Sequence, residues 1–175
     1  MITFLNKSGI FFILISLLTS SILWSNLPEK DLQAAHNFDL PTPNGKTINL
    51  DDYKGKIILL NFWATWSTPC LKEMPVLEKL HQQYSDEDLQ IIGIAIVSKQ
   101  EDIPKKILET GITYPVGIGG KQLIADYGYF TSIPQSFLID RSGKIVKEYA
   151  GTIEFTEIQK ELTLILHKPA LQSHN

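Results

Sequence analysis

Apolar residues fall along this chain in blocks whose spacing separates strands from helices. Ser8 to Pro28 carries no charged side chain; Gly9 to Leu18 is nearly all apolar, and Ile22-Leu23-Trp24 resumes the pattern. Lys56–Phe62 and Gln90–Val97 are short continuous apolar runs, the pattern of strands buried on both faces. Between them Leu71, Met74, Leu77, Leu80 and Tyr84 recur at helical spacing, with Pro75 inside the pattern, where it predicts a kink. Glu101–Thr110 reads as a helix closed by Gly111, Tyr114–Gly120 as loop, and Lys121–Tyr127 as a short helix. Ser136–Asp140 and Ile145–Tyr149 flank Arg141-Ser142-Gly143-Lys144, a hairpin signature. Phe155–His167 reads as a final amphipathic helix, and the turn-rich Asn37–Leu50 has room for one short hairpin. The order is strand, helix, strand, helix, hairpin, helix. It predicts an α/β domain with a central mixed β-sheet flanked by helices, parallel in one half and antiparallel in the other.

The expected boundaries are an N-terminal hydrophobic segment at 1–25, a polar linker at 26–36, the folded domain at 37–168 and a tail at 169–175. Spanning a bilayer takes about 20 apolar residues, which the uncharged stretch just reaches. Lys7 on its N-terminal side favours keeping that end in the cytoplasm, and Trp24 suits the far interface. A retained signal anchor fits the hydrophobic resumption after Ser21 and the lack of an A-x-A-like site; a cleaved signal peptide, with Thr19-Ser20-Ser21 as its cleavage zone, is the alternative. Both place the domain outside the cytoplasm, tethered to the membrane or released to the periplasmic side.

Composition narrows the chemistry. The net charge is −3 with no basic tract, so nucleic-acid binding has no electrostatic footing. Cys70 is the only cysteine, so no intrachain disulfide forms, and zinc sites built on cysteine pairs are excluded. The four histidines, His36, His81, His167 and His174, show no ligand spacing and read as scattered surface residues. No metal or cofactor is expected.

Trp63-Ala64-Thr65-Trp66-Ser67-Thr68-Pro69-Cys70 has the frame of a thioredoxin-type redox site, W-C-x-P-C, with Ser67 where the first cysteine belongs. Thiol–disulfide exchange begins with a thiolate attacking a disulfide sulfur. A helix N-terminus favours that anion through unpaired N–H groups and the helix dipole. A serine hydroxyl stays protonated there, no adjacent base is visible to activate it, and it forms no disulfide. Ser67 reads as a helix N-cap, with Pro69 in the first turn, where proline is tolerated.

The lead-in Phe38-Asp39-Leu40 with Asn44-Gly45-Lys46 resembles the TlpA-like, membrane-tethered branch of the thioredoxin superfamily. So do Leu60-Asn61-Phe62-Trp63-Ala64-Thr65-Trp66, Cys70-Leu71-Lys72-Glu73-Met74-Pro75, and the run from Ile133-Pro134-Gln135 to Lys144-Ile145. The resemblance covers roughly residues 37 to 166. It implies a thioredoxin-like fold on the outer side of the membrane and disulfide reduction or exchange on protein substrates, often apocytochrome c during haem attachment. It implies a membrane electron-donor thiol protein as partner. It places Cys70 as the resolving cysteine, Pro134 as the cis-proline beside the redox pair, and Glu73 as an acid near it, the alternative for Glu73 being a solvated helix carboxylate. Trp66, Thr68, Pro69, Ile133 and Pro134 then line the substrate groove, with Trp63 in the core and Trp66 at the rim. Asn61 stands where cytosolic thioredoxins carry a buried acid; asparagine is common there in this branch.

As written, the chain is expected to have lost or altered dithiol activity. Cys70 is open to two readings, an inert small buried hydrophobe or a reactive thiol. Ser67-Thr68-Pro69-Cys70 also fits the [ST]-x-x-C spacing of a one-cysteine peroxiredoxin, in which Cys70 would be oxidised by peroxide to a sulfenic acid. Against that, Trp63 stands where those enzymes carry proline, Pro134 stands at their arginine position, and Arg141 lies beyond the strand. A redox-inactive binding or chaperone domain that keeps the groove is the third reading.

Overall fold

The computed structural model describes residues 32–84 and 89–166. The expected anchor, most of the linker, the tail, His167 and His174 lie outside the described residues. Among those described, no helix is long and apolar enough to cross a membrane.

Seven strands and four α-helices follow in the order β1 (Asp39–Pro41), β2 (Thr47–Asn49), β3 (Ile57–Trp63), α1 (Thr68–Tyr84), β4 (Leu89–Ala95), α2 (Ile103–Thr110), β5 (Val116–Ile118), α3 (Lys121–Asp126), β6 (Gln135–Ile139), β7 (Ile145–Ala150) and α4 (Phe155–Leu166). Short 3-10 turns precede β3 and α2. The main sheet runs β5-β4-β3-β6-β7. β3, β4 and β5 are parallel; β6 and β7 pair antiparallel to complete the expected mixed sheet. β1 and β2 form the lead-in hairpin as a separate antiparallel pair.

Every residue of β3 is buried, which explains its unbroken apolar run. Successive side chains of a strand point to opposite faces. Ile57, Leu59 and Trp63 therefore pack with Met74, Leu77 and Leu80 of α1 and with Ile158 and Leu162 of α4. Ile58, Leu60 and Phe62 face the other way, onto Leu40 and Ile48 of the hairpin and Leu123 and Tyr127 at α3. Asn61 shares the face of Leu59 and Trp63, so its amide enters the α1 core.

The structure corrects one element. Tyr114–Gly120, read as loop, contains the edge strand β5. A Cβ on Gly117 would lie 2.9 Å from Leu40, so the hairpin rests on β5 because residue 117 has no side chain. α1 is one continuous helix through Pro75, which lies inside it.

Leu77 is fully buried where α1 meets the sheet. Leu77→Ala is expected to lower unfolding stability by about 2–5 kcal/mol. In urea titration this appears as a lower midpoint at unchanged slope.

Candidate functional site

β3 ends at Trp63, and α1 begins five residues later at Thr68. Phe62 pairs with Gln135, so the chain beyond Phe62 runs beside Pro134, whose bond to Ile133 is cis. The register thus brings the Thr65–Cys70 turn and the Ile133–Pro134 loop to one end of the sheet. Thr68 and Pro69 are exposed, Ile133 is half-buried and Pro134 is buried.

Ser67 caps α1. Its hydroxyl accepts from the Cys70 N–H at 3.4 Å, and its carbonyl accepts from the Leu71 N–H at 3.1 Å. A serine at this position satisfies an N–H that the helix itself leaves unpaired. Ser67 is itself buried, and no histidine or carboxylate donates to or accepts from its hydroxyl among the described residues.

Cys70 is 1% exposed and belongs to the core on the α1 face. Burial pushes its thiol up, and the Glu73 carboxylate adds to the shift. The Ser67 hydroxyl and the backbone around Ala64 only partly counter them. Cys70 therefore stays protonated, as a buried thiol does. Arg141 lies beyond the far end of β6 from Pro134, so the pairing of thiol and guanidinium used in peroxide reduction is not assembled here.

Glu73 is 2% exposed, which overturns the reading of a solvated helix carboxylate. Its Oε2 accepts from Asn61 Nδ2 at 2.8 Å and its Oε1 from the Ile153 N–H at 2.6 Å. Asn61 Nδ2 also donates to Ser136 Oγ at 2.9 Å. Desolvation raises the Glu73 carboxyl from 4.5 to about 7, against the lowering effect of the Ile153 and Asn61 hydrogen bonds. The resemblance placed an acid near the redox pair; the geometry places it one helical turn below Cys70, in the core.

The rim contains two residues that the sequence did not single out, Val97 and Ser98. Trp66, 65% exposed, donates from Nε1 to the Val97 carbonyl at 2.9 Å. The Thr65 N–H donates to Ser98 Oγ at 3.0 Å, and Ser98 in turn donates to the Ile96 carbonyl at 3.0 Å. Val97 is 70% exposed and has φ 48°, a left-handed conformation that a β-branched residue rarely adopts. Such strain costs on the order of 1–3 kcal/mol and persists where surrounding bonds enforce it. Nothing in the sequence around Val97 signals this conformation. Trp63 is fully buried and Trp66 stands at the rim, as expected. His36 is exposed; His81, also read as a surface residue, is half-buried with its Nδ1 enclosed. Among the described residues no group of three or more His, Cys, Asp or Glu side chains could hold a metal.

A five-stranded mixed sheet with a helix-capping S-x-P-C turn facing a cis-proline defines a protein of the thioredoxin-fold class. The sequence pattern of the AhpC/TSA family matches residues 32–148. The thioredoxin-like protein YneN of Bacillus subtilis is 34% identical over 165 residues, covering 90% of this chain and 96% of that protein. The thiol-disulfide oxidoreductase ResA of Bacillus thuringiensis is 41% identical over 120 residues, covering 67% of this chain and 68% of that protein. The crystal structure of a thiol:disulfide interchange protein of the thioredoxin family from Chlorobium tepidum superposes with a TM-score of 0.73 at 28% identity, covering 79% of this chain and 99% of that one. The chain belongs to the AhpC/TSA family, among its thioredoxin-like thiol–disulfide oxidoreductases.

The raised Glu73 has a consequence for stability. A carboxyl whose folded pKa exceeds its unfolded value stabilises the fold below the unfolded value, and that contribution is lost as pH rises through the folded one. Stability is therefore expected to fall between about pH 4.5 and about pH 7, by on the order of 3 kcal/mol for this group. Glu73→Gln should remove this slope. Denaturant midpoints of both proteins across that window check it: parallel curves would refute the assignment.

Proposed function

We propose that this chain is an extracytoplasmic, membrane-tethered protein of the thiol–disulfide oxidoreductase type. It binds protein thiol or disulfide segments along the Pro134 edge and does not turn over as a dithiol reductase. One observation carries this reading: the nucleophile's position holds Ser67, whose hydroxyl accepts the Cys70 N–H, while the remaining thiol is 1% exposed and shifted toward its neutral form. Attack on a disulfide needs an accessible thiolate, and neither residue supplies one.

The binding half of this reading is supported by the Pro134 edge. The backbone edge at Ile133–Pro134 faces the Thr65–Cys70 turn, and an extended segment can add to such an edge through main-chain hydrogen bonds. Trp66 and Val97 offer exposed apolar surface on the other side of the turn. The names of ResA and of the interchange protein from Chlorobium support a protein thiol as the recognised chemistry. Apocytochrome c awaiting haem, with a membrane thiol protein as electron donor, is the substrate and partner pair that the TlpA-like resemblance implies. The uncharged stretch 8–28 behind Lys7 supports the tether and the outward orientation.

In an insulin-type reduction assay the unaltered chain is expected to show no sustained turnover, and Ser67→Cys to gain it. Sustained turnover by the unaltered chain would overturn the reading. Failure of Ser67→Cys to gain activity would favour a pure binding domain. Alkylation of Cys70 in the unaltered chain should be slow at neutral pH.

A further inference from the structure

Four buried side-chain polar atoms find no hydrogen-bond partner among the described residues: Trp63 Nε1, His81 Nδ1, Tyr114 Oη and Tyr149 Oη. Native proteins leave few such atoms, and each calls for an explanation. Three of the four belong to one neighbourhood. Asn61 of β3 pairs with Gly93 of β4. A Cβ on Gly93 would stand 3.2 Å from both Trp63 Nε1 and Tyr114 Cε2. The two ring edges therefore meet over the glycine, beside the strand position whose amide holds Glu73. The His81 ring stands edge-on to Tyr114, with centroids 6.1 Å apart at 84°, and His81 is half-buried. Tyr114 thus adjoins both the Trp63 indole edge and a half-buried histidine ring.

We propose that Tyr114 is a positioning residue for Glu73: its hydroxyl and the Trp63 indole N–H hold a buried water that hydrogen-bonds the Glu73 carboxylate. A buried water needs two to four polar partners, and Glu73, Trp63 and Tyr114 supply three. Both unpartnered groups can donate to the water, which leaves the water's own hydrogens for the carboxylate. When Glu73 is protonated, the Tyr114 hydroxyl, which can also accept, turns to take a hydrogen bond from the water; this frees a lone pair for the Glu73 O–H, whose proton passes to the water as that bond breaks, so an acid enclosed in the core can still titrate. This rests on the reading of Glu73 as the acid of the site, and it adds the groups that govern its proton.

Among the described residues, the titratable groups around Glu73 and Tyr114 come from α1 and from the segment before β5. On α1 they are Cys70, Glu78 and His81, and before β5 there is Tyr114; β3 and β6 contribute only the neutral Asn61 and Ser136. Burial alone would raise Glu78, but hydrogen bonds from the Thr113 N–H and hydroxyl and from Gln82, with His81 nearby, hold it below the ordinary range. Desolvation, with Glu73 and Glu78, pushes the Tyr114 hydroxyl far up, so it remains a neutral donor. Burial, with Glu161 and Glu157 of α4, pushes the Tyr149 hydroxyl up.

The test is carbon-detected NMR titration of the Glu73 side-chain carboxyl in the full chain in detergent micelles. Loosening a water that donates to a carboxylate raises the carboxyl midpoint, so Tyr114→Phe, which removes one of the two groups holding that water, is expected to move Glu73 up by about one pH unit. A tyrosine that only packs would leave the midpoint in place. A water-to-amide Overhauser experiment should show a cross-peak from water to the Trp63 indole proton, lost in Gly93→Ala, whose methyl group would fill the space between the rings. An unmoved midpoint in a folded Tyr114→Phe, or no water cross-peak at Trp63, overturns the proposal. Neither readout depends on redox activity, so failure here leaves the outcome of the Ser67→Cys assay untouched.

Discussion

The site depends on one buried carboxylate. Glu73 joins three parts of the chain that are far apart in sequence: α1 carries it, β3 donates to it through Asn61, and the loop after β7 donates through the Ile153 N–H. Asn61 extends the tie to Ser136 on β6. Burying an acid is costly unless its oxygens are hydrogen-bonded. Here both oxygens are bonded, and the remaining desolvation is expressed as a raised pKa. Removing one partner would leave a buried group unsatisfied, so the network fixes the height of α1 relative to the sheet more sharply than apolar packing alone. That height sets where Ser67 and Cys70 lie beside Pro134.

The N-terminus of α1 serves two purposes that this sequence separates. Its unpaired N–H groups cap well with a hydroxyl, and the same groups favour a thiolate. With serine at position 67 the first purpose is met and the second is dropped. The cap keeps the turn in shape, so the Trp66–Val97 contact and the approach of the turn to Pro134 do not depend on a sulfur at position 67. Cys70 is then held by packing with Trp63, Met74 and Leu77 like any other core residue.

Much of this was legible in the chain. β3 and β4 were readable because strands buried on both faces leave unbroken apolar runs, and the β6–β7 hairpin because Ser142-Gly143 marks its turn. β5 was missed because it is three residues long, has Gly117 at its centre and is bordered by Pro115 and Gly119, which read as loop. Glu73 was ambiguous because residue type argued for solvent. Spacing argued otherwise: Glu73 lies three residues after Cys70 and four before Leu77, on the stripe that continues to Leu80 and Tyr84. Its donors could not be read, since Ile153 is 80 positions away. The left-handed Val97 was equally hidden, because it is enforced by bonds from Trp66 and Thr65 across the gap between two strands.

The unreadable features share a physical cause. Each is a place where a residue goes against its local preference and is held there by a distant partner: an acid in the core, a β-branched residue at positive φ, two ring edges over a glycine. Local propensity and periodicity describe what a segment does alone, so they fail where tertiary contacts override them. In this fold the three exceptions cluster at or just below the end of the sheet where Ser67 faces Pro134. The buried carboxylate and the left-handed valine flank the turn that carries Ser67: Glu73 lies one helical turn below Cys70, and the Val97 carbonyl accepts from the Trp66 indole. Both are held by bonds from outside their own segments, so the shape of the turn is set by tertiary contacts and not by the residue at position 67 alone.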